Sequence, residues 1–378
     1  MRNVTAAIVA SGLILAACSS SNSAPDGLES PDESATSDQV DDTTSVETSA
    51  PPPPGPALVY VSVSGENKVE ILELGVEGTL ASVGSVDVPG PAGAIVHSPK
   101  RNELVVGTGA GFSTLELGDP TAPTVVTTTA VEGEPVYFDL AGSEDEYLLS
   151  AYFGEDDVRS HTVANGPESY ERVADEPTAV EPHAIVVTAD EKRAYVPQRN
   201  GESIAVYTIE PDGTLTATSS VDVDPNTGPR HLAFGSNEAF AYVINEHADS
   251  VSVFQVADGG ELSAVQTVST LPDGADGENN TGADIHVTPD GGFVYASNRG
   301  HDSIAMFAVN QDGTLAPLGH VETQARPRDF GVSPDGRFVV VAGQDSGQVE
   351  TYRIGEDGQL TTIGVTAVGD GPVWVTII

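Results

Sequence analysis

Residues that could do chemistry recur at matching places along this chain. His183, Arg230 and Arg328 each follow a proline, at Pro182, Pro229 and Pro327. Downstream of them come the polar pairs Gln198-Arg199, Asn245-Glu246, Asn298-Arg299 and Gly343-Gln344. Several arginines in one concavity recognise a carboxylate or phosphate through paired, charge-assisted hydrogen bonds. A histidine beside them can serve as a general base near neutral pH. Glu246 could orient an arginine by ion pairing, or share in proton transfer. An arginine can also stabilise the oxyanion that forms when water attacks an ester carbonyl. Such a set suits the opening or closing of a lactone that carries negative charge. Nucleophilic-serine chemistry is not indicated, because the sequence holds no nucleophile-elbow motif.

These residues are far apart in sequence, so the elements must gather them. The segment from Pro327, RDFGVSPDGRFVVVAGQDSGQVETYRIGEDGQLTTIG, parses as four strands joined by tight turns. Gly282 opens a second clear copy, Pro229, Pro182 and Pro135 open weaker ones, and a degenerate copy begins near Pro91. Anchored on the second strand, the copies centre on Tyr60, Val105, Leu149, Tyr195, Tyr242, Tyr295 and Val340, with spacings of 45, 44, 46, 47, 53 and 45. Seven four-stranded units at this period predict an all-β fold, a seven-bladed β-propeller. A solenoid is the alternative, but no unit resembles a polar capping repeat. The first unit lacks a first strand, and the chain ends in Pro372-Val-Trp-Val-Thr-Ile-Ile378, a first strand with nothing after it. The C-terminal strand is therefore expected to complete blade one and close the ring. In such a ring the start of each first strand and the end of each second strand share one rim, which brings His183, the arginines and Glu246 together. Tyr152 takes a matching position in blade three, and blade two offers only Gly107-Thr108-Gly109 there.

Composition narrows the partners. Only 15 basic residues stand against 57 acidic ones in 378, a net charge of −42, yet four arginines fall on that one rim. Nucleic acid is excluded as a partner, since binding it needs a basic face. Attraction to anionic headgroups by charge is excluded likewise. The single cysteine, Cys18, rules out internal disulfides and Cys-rich metal sites. The eight histidines show no paired ligand spacing. We expect no metal, no cofactor and a monomer.

Residues 1–18 read as a signal peptide, with Arg2 ahead of an apolar run too short to span a bilayer. The run ends in Leu15-Ala16-Ala17-Cys18, which resembles the bacterial lipoprotein box and makes Cys18 the expected lipidation site. Residues 19–56 hold Ser, Thr, Asp, Glu and Pro without Lys or Arg, and contain Pro51-Pro52-Pro53-Pro54. They read as an acidic, disordered tether, leaving 57–378 for the propeller. The expected location is the outer face of the cytoplasmic membrane, held by the lipid alone.

Pro182-His183, Gly228-Pro229-Arg230-His231, Asn245-Glu246, Ser297-Asn298-Arg299-Gly300-His301-Asp302-Ser303 and Pro327-Arg328-Asp329-Phe330 resemble signature segments of the propeller-type lactonase family. That family includes bacterial 6-phosphogluconolactonases and the fungal carboxymuconate cyclase. The resemblance runs from about residue 57 to 378 and is strongest from blade four onward. It implies His183, Arg230, Glu246 and Arg299 as the catalytic set, metal-free action, and a small lactone as substrate. Arg199, Arg328, Gln344 and Asn298 are the candidate substrate-binding residues around that set. A non-catalytic envelope propeller that binds a protein or glycan is the alternative, favoured by the external location.

Other residues read as structural. His97 and His320 should lie away from the rim, and Trp374 should be core. His286 should face the channel or core. Strand alternation should turn His231 to the opposite face from Arg230. The insert LPDGADGENNT, residues 271–281, accounts for the one long spacing and reads as a surface loop, since its acidic residues do not follow a calcium-loop order.

Overall fold

The computed structural model describes residues 56–163 and 170–378. Cys18, the signal segment and the tether through residue 55 lie outside the described residues. Seven antiparallel sheets of four strands each follow one another around a ring. Each blade opens on an inner strand at the channel, such as Pro229–Phe234 in blade five and Pro327–Val332 in blade seven, and works outward. Proline at the first position of a strand costs no ladder bond, which suits it to this start.

Burial follows the layers. The second strand of blade seven, Phe338–Gly343, reads FVVVAG and is buried throughout, because both sheet faces pack against neighbouring blades. The outermost strand of the same blade, Leu360–Ala367, is mostly exposed, with only Leu360 buried. Cores sit between blades: Tyr242, Ile244, Val251 and Val253 of blade five meet Ile285, Val294, Ala296 and Phe307 of blade six.

The chain end closes the ring. Pro372–Ile377 pairs antiparallel with Ala57–Val63, with Val59 opposite Ile377 and Val61 opposite Val375. Leu58 and Ile378 exchange both backbone hydrogen bonds, each at 2.9 Å. The sheet of blade one thus runs C-terminal strand, first strand, second strand, third strand.

The tyrosines that anchor the sequence repeat also join the blades. The Tyr195 hydroxyl donates to Gly260 O at 2.8 Å, Tyr242 to Gly313 O at 3.2 Å and Tyr295 to Gly358 O at 3.0 Å. Each acceptor lies in the outer turn of the following blade. Those glycines have φ between 77° and 94°, in the left-handed region, so the turn that presents the carbonyl needs glycine.

One local irregularity decides what faces the channel. The ladder between inner and second strands shifts register between Pro229 and His231 in blade five, and between Pro327 and Asp329 in blade seven. Such bulges re-aim side chains at strand ends.

Candidate active site

The ring brings most of the expected residues to one channel mouth. A cavity of about 290 Å³ opens there, lined by His183, Arg230, His231, Arg328, Asp329, Gln344 and Trp374 among others. That volume is at the lower end for a small-molecule site, roughly 300–1,000 Å³.

Arg199, Glu246 and Arg299 stand beside the cavity as an ionic cluster. Arg199 Nη1 donates to Glu246 Oε1 at 2.8 Å, and its Nε and Nη2 donate to Glu181 at 2.9 and 2.7 Å. Arg299 Nη2 lies 3.3 Å from Glu246 Oε1. Arg230 Nε lies 3.1 Å from Glu246 Oε2, in ionic contact without hydrogen-bond alignment. Arg230 also donates to the Ala283 carbonyl, and Arg299 Nη2 to that of Gly282 at 3.1 Å. Glu246 is thus held by three guanidinium groups. Burial works against its charge, but Arg230, Arg299 and Arg199 outweigh it and hold the carboxyl below the usual glutamate range. It fixes the arginines and is not a free base.

Arg328 differs. Among the described residues it makes no hydrogen bond or ion pair, and it lines the cavity. Burial lowers its pKa, as it does for Arg230, which burial and the neighbouring Arg299 and Arg328 press to about 9. Both remain cations at neutral pH. Gln344 adds a buried, unpartnered Oε1 to the same wall.

His183 is buried, with its Nδ1 enclosed and unpartnered. Burial first, then the charge of Arg230, push its pKa well below the ordinary value. It is therefore a neutral imidazole at neutral pH, the form a general base requires. The ring of Phe153 packs edge-on to it at 5.5 Å, and the Arg199 guanidinium lies 4.6 Å over the same Phe153 ring.

Each polar pair at a strand end divides its labour. The second members, Arg199, Glu246, Arg299 and Gln344, belong to the mouth. Of the first members, Gln198, Asn245 and Asn298 are spent on structural hydrogen bonds, and Gly343 has no side chain. Asn298 does not reach the cavity: it is fully buried, its Nδ2 donates to Thr270 O at 2.7 Å, and its Oδ1 accepts from Thr270 Oγ1 at 2.7 Å. Asn245 donates to Ser250 and Ser252 in the same manner. Adjacent residues on a strand point to opposite faces, so one pair cannot serve the mouth twice. By this register Phe153, not Tyr152, matches Arg199. Tyr152 is buried under the Arg159 guanidinium, 3.7 Å from its ring.

Two residues not expected at the mouth also line the channel. The bulge beside Arg230 places His231 in the same cavity, its ring 5.3 Å from that of His183. Trp374 packs against the cores of blades one to three as expected and also lines the channel, with Nε1 donating to Ile95 O at 3.1 Å. Phe153 and Trp374 carried no polar signal in the sequence. His231 was hidden because ideal alternation ignores a bulge. His320, away from the mouth, donates from Nε2 to Thr270 O at 2.8 Å. In the 271–281 insert, Asn280 bonds Asp249 and the His301 amide. Among the described residues no group of three or more His, Cys, Asp or Glu could hold a metal ion.

Fold and mouth define a class: a closed propeller whose channel is walled by arginines around neutral imidazoles. A family model described as a seven-bladed β-propeller lactonase matches residues 93–377, and the chain belongs to that lactonase family. Its activity class is lactone hydrolysis. A 6-phosphogluconolactonase from Photorhabdus laumondii is 29% identical over 332 residues, 85% of this chain and 98% of that protein. The periplasmic gluconolactonase of Pseudomonas aeruginosa superposes with a TM-score of 0.78 at 24% identity, covering 86% of this chain and 99% of that one. A Lactobacillus plantarum protein of known structure gives a TM-score of 0.79 at 21% identity, covering 85% and 99%.

Proposed function

We propose that the substrate is a small lactone bearing a negative charge, and that it is opened at the channel mouth of His183, Arg230, Arg328 and Gln344. The observation that carries this reading is Arg328, a half-buried guanidinium that lines the cavity and makes no hydrogen bond or ion pair with a described residue. Four arginines, set against Glu246 and Glu181 in the ionic cluster and Glu134 and Asp329 in the lining, concentrate cations at the mouth of a chain of net charge −42. An anionic substituent would sit on Arg328, with Gln344 beside it. Arg230, kept in place by Glu246, would face the carbonyl oxygen.

His183 accepts a proton from water as the water oxygen bonds to the carbonyl carbon. Charge builds on the carbonyl oxygen, where a guanidinium in a water-poor site stabilises it strongly. The ring C–O bond then breaks, the leaving oxygen takes back the proton, and a hydroxy acid results. This is a metal-free route.

We further propose that the protein is lipid-anchored at Cys18 outside the cytoplasm, supported by Leu15-Ala16-Ala17-Cys18 and the acidic tether. The Pseudomonas relative is described as periplasmic, which agrees. The test is a lactone panel that compares charged and neutral substrates on the whole protein without added metal. We expect a lower KM for charged lactones, lost in Arg328→Ala while neutral lactones are unaffected. If no lactone is opened, the non-catalytic binding reading replaces this one.

A further inference from the structure

The channel has a second chamber. A cavity of about 310 Å³ lies beyond the mouth, lined by Tyr137, His231, Asp284, His286, Asp329 and Trp374 among others. His231, Asp329 and Trp374 line both chambers and form the layer between them.

Asp284 lines the second chamber, is 3% exposed and bridges two histidines. His231 Nδ1 is 2.8 Å from its Oδ1, and His286 Nε2 is 3.1 Å from its Oδ2. The Phe330 amide donates to Oδ2 at 3.1 Å, and Ser297 Oγ accepts from the Asp284 amide at 3.0 Å. His231 therefore gives its Nδ1 hydrogen to Asp284 and keeps its Nε2 lone pair for the channel. His183 has no such partner: its Nδ1 is buried and orphaned. A proton gained by His183 would create an imidazolium with Arg230 and Arg328 nearby and no carboxylate in contact. The ring beside it, His231, is already backed by one.

We propose that His183 and His231 act as a proton-sharing pair in lactone opening, with Asp284 as the positioning residue that stabilises the shared charge. The inference rests on the lactone reading above. The attacking water loses a proton to the pair as its oxygen bonds to the carbonyl carbon. Asp284 stabilises that charge through His231 Nδ1–H. When the ring C–O bond breaks, the pair returns the proton to the ring oxygen, and no other reagent is consumed.

The charged surroundings support this division. Burial and Arg230 hold His231 at about 4, against the pull of Asp284, with Arg328 lowering it further. On the far side, burial opposes a charge on His286, but Asp284 outweighs it and raises the pKa. Asp329, which lines both chambers, is pushed well above the usual carboxylate range by burial and by Asp284. The Tyr137 hydroxyl, also in the chamber, is raised by burial and stays neutral. His286 thus competes with His231 for the Asp284 charge.

Two variants pull in opposite directions. In Asp284→Asn the pair loses its carboxylate, so the acid limb of kcat/KM should move to lower pH. We expect kcat to fall about 10²-fold while KM stays within about twofold. In His286→Gln the Asp284 charge is left to His231 alone, and the limb should move to higher pH. Nitrogen-15 imidazole spectra should show His231 titration moving the same two ways, and thermal melts should show both variants folded. A limb that stays put in both variants, or moves the same way in both, overturns the pair. If His183→Ala is inactive and Asp284→Asn is not, the pair fails and the lactone reading stands. A wild-type protein that opens no lactone overturns both.

Discussion

Glu246 is the residue on which the mouth depends, because it counters three guanidinium groups at once. Removing one partner of a buried ion pair leaves the others uncompensated, at a cost of about 3–5 kcal/mol. Glu246→Gln should therefore lower the melting temperature as well as activity. Its depressed pKa gives the linkage sign: its stabilisation is present above the ordinary glutamate range and is lost as pH falls through the lower native value. The melting difference between wild type and Glu246→Gln should narrow on strong acidification. His183 gives a second pH effect of definite sign. Its pKa lies well below the ordinary histidine value of about 6.5, so the base form persists under mild acid. Activity should hold as pH drops through 6.5 and decline only further down. A pH-rate profile checks this, and an acid limb centred at 6.5 would contradict it. Arg337, paired with Asp335 at 2.7 Å by a turn at the other end of its blade, should be silent when changed to Ala.

At the scale of elements, the joints between blades are specific as well as apolar. Tyr295→Phe would delete the 3.0 Å bond to Gly358 O in blade seven and leave a buried carbonyl unpaired. We expect a loss of about 1 kcal/mol, within the range for one hydrogen bond, read by denaturant titration. Gly313→Ala should cost more. Its φ is 77°, and a Cβ there would stand 2.3 Å from the Phe240 ring. The repeat spacing in the sequence placed these strands closely, since tight turns and buried apolar runs are local signals. Four of the seven anchors, Tyr60, Tyr195, Tyr242 and Tyr295, are the residues that bolt each blade to the next. The bulge at Pro229–His231 left no such signal, because a register shift depends on how two strands meet.

Closure is a property of the whole molecule. Deleting Val373–Ile378 would strip the inner strand from blade one, expose the Val59–Val63 edge and remove Trp374 from the channel wall. We expect a cooperative loss of stability across the domain, visible as a large fall in melting temperature. Cys18→Ser should leave melting unchanged and move the protein from the membrane fraction to the soluble one, since one lipid-bearing residue would supply the anchorage.

The sequence alone determined the blade count, the closing strand and the rim residues, because all three follow from a period of about 45 residues and from turn chemistry written locally. It also carried the excess of arginine at one place in an acidic chain. Tertiary structure decided the partition among those residues. His183, Arg230, Arg328 and Gln344 face the cavity, Arg199, Glu246 and Arg299 lock each other beside it, and Asn298 ties its strand to Thr270 at the end of blade five. The joining of His231 to His183 and Asp284 was likewise illegible in sequence. Side-chain direction at a strand end is set by the bulge, and contact across the channel is set by ring closure, and neither is encoded in the spacing of residues along one strand.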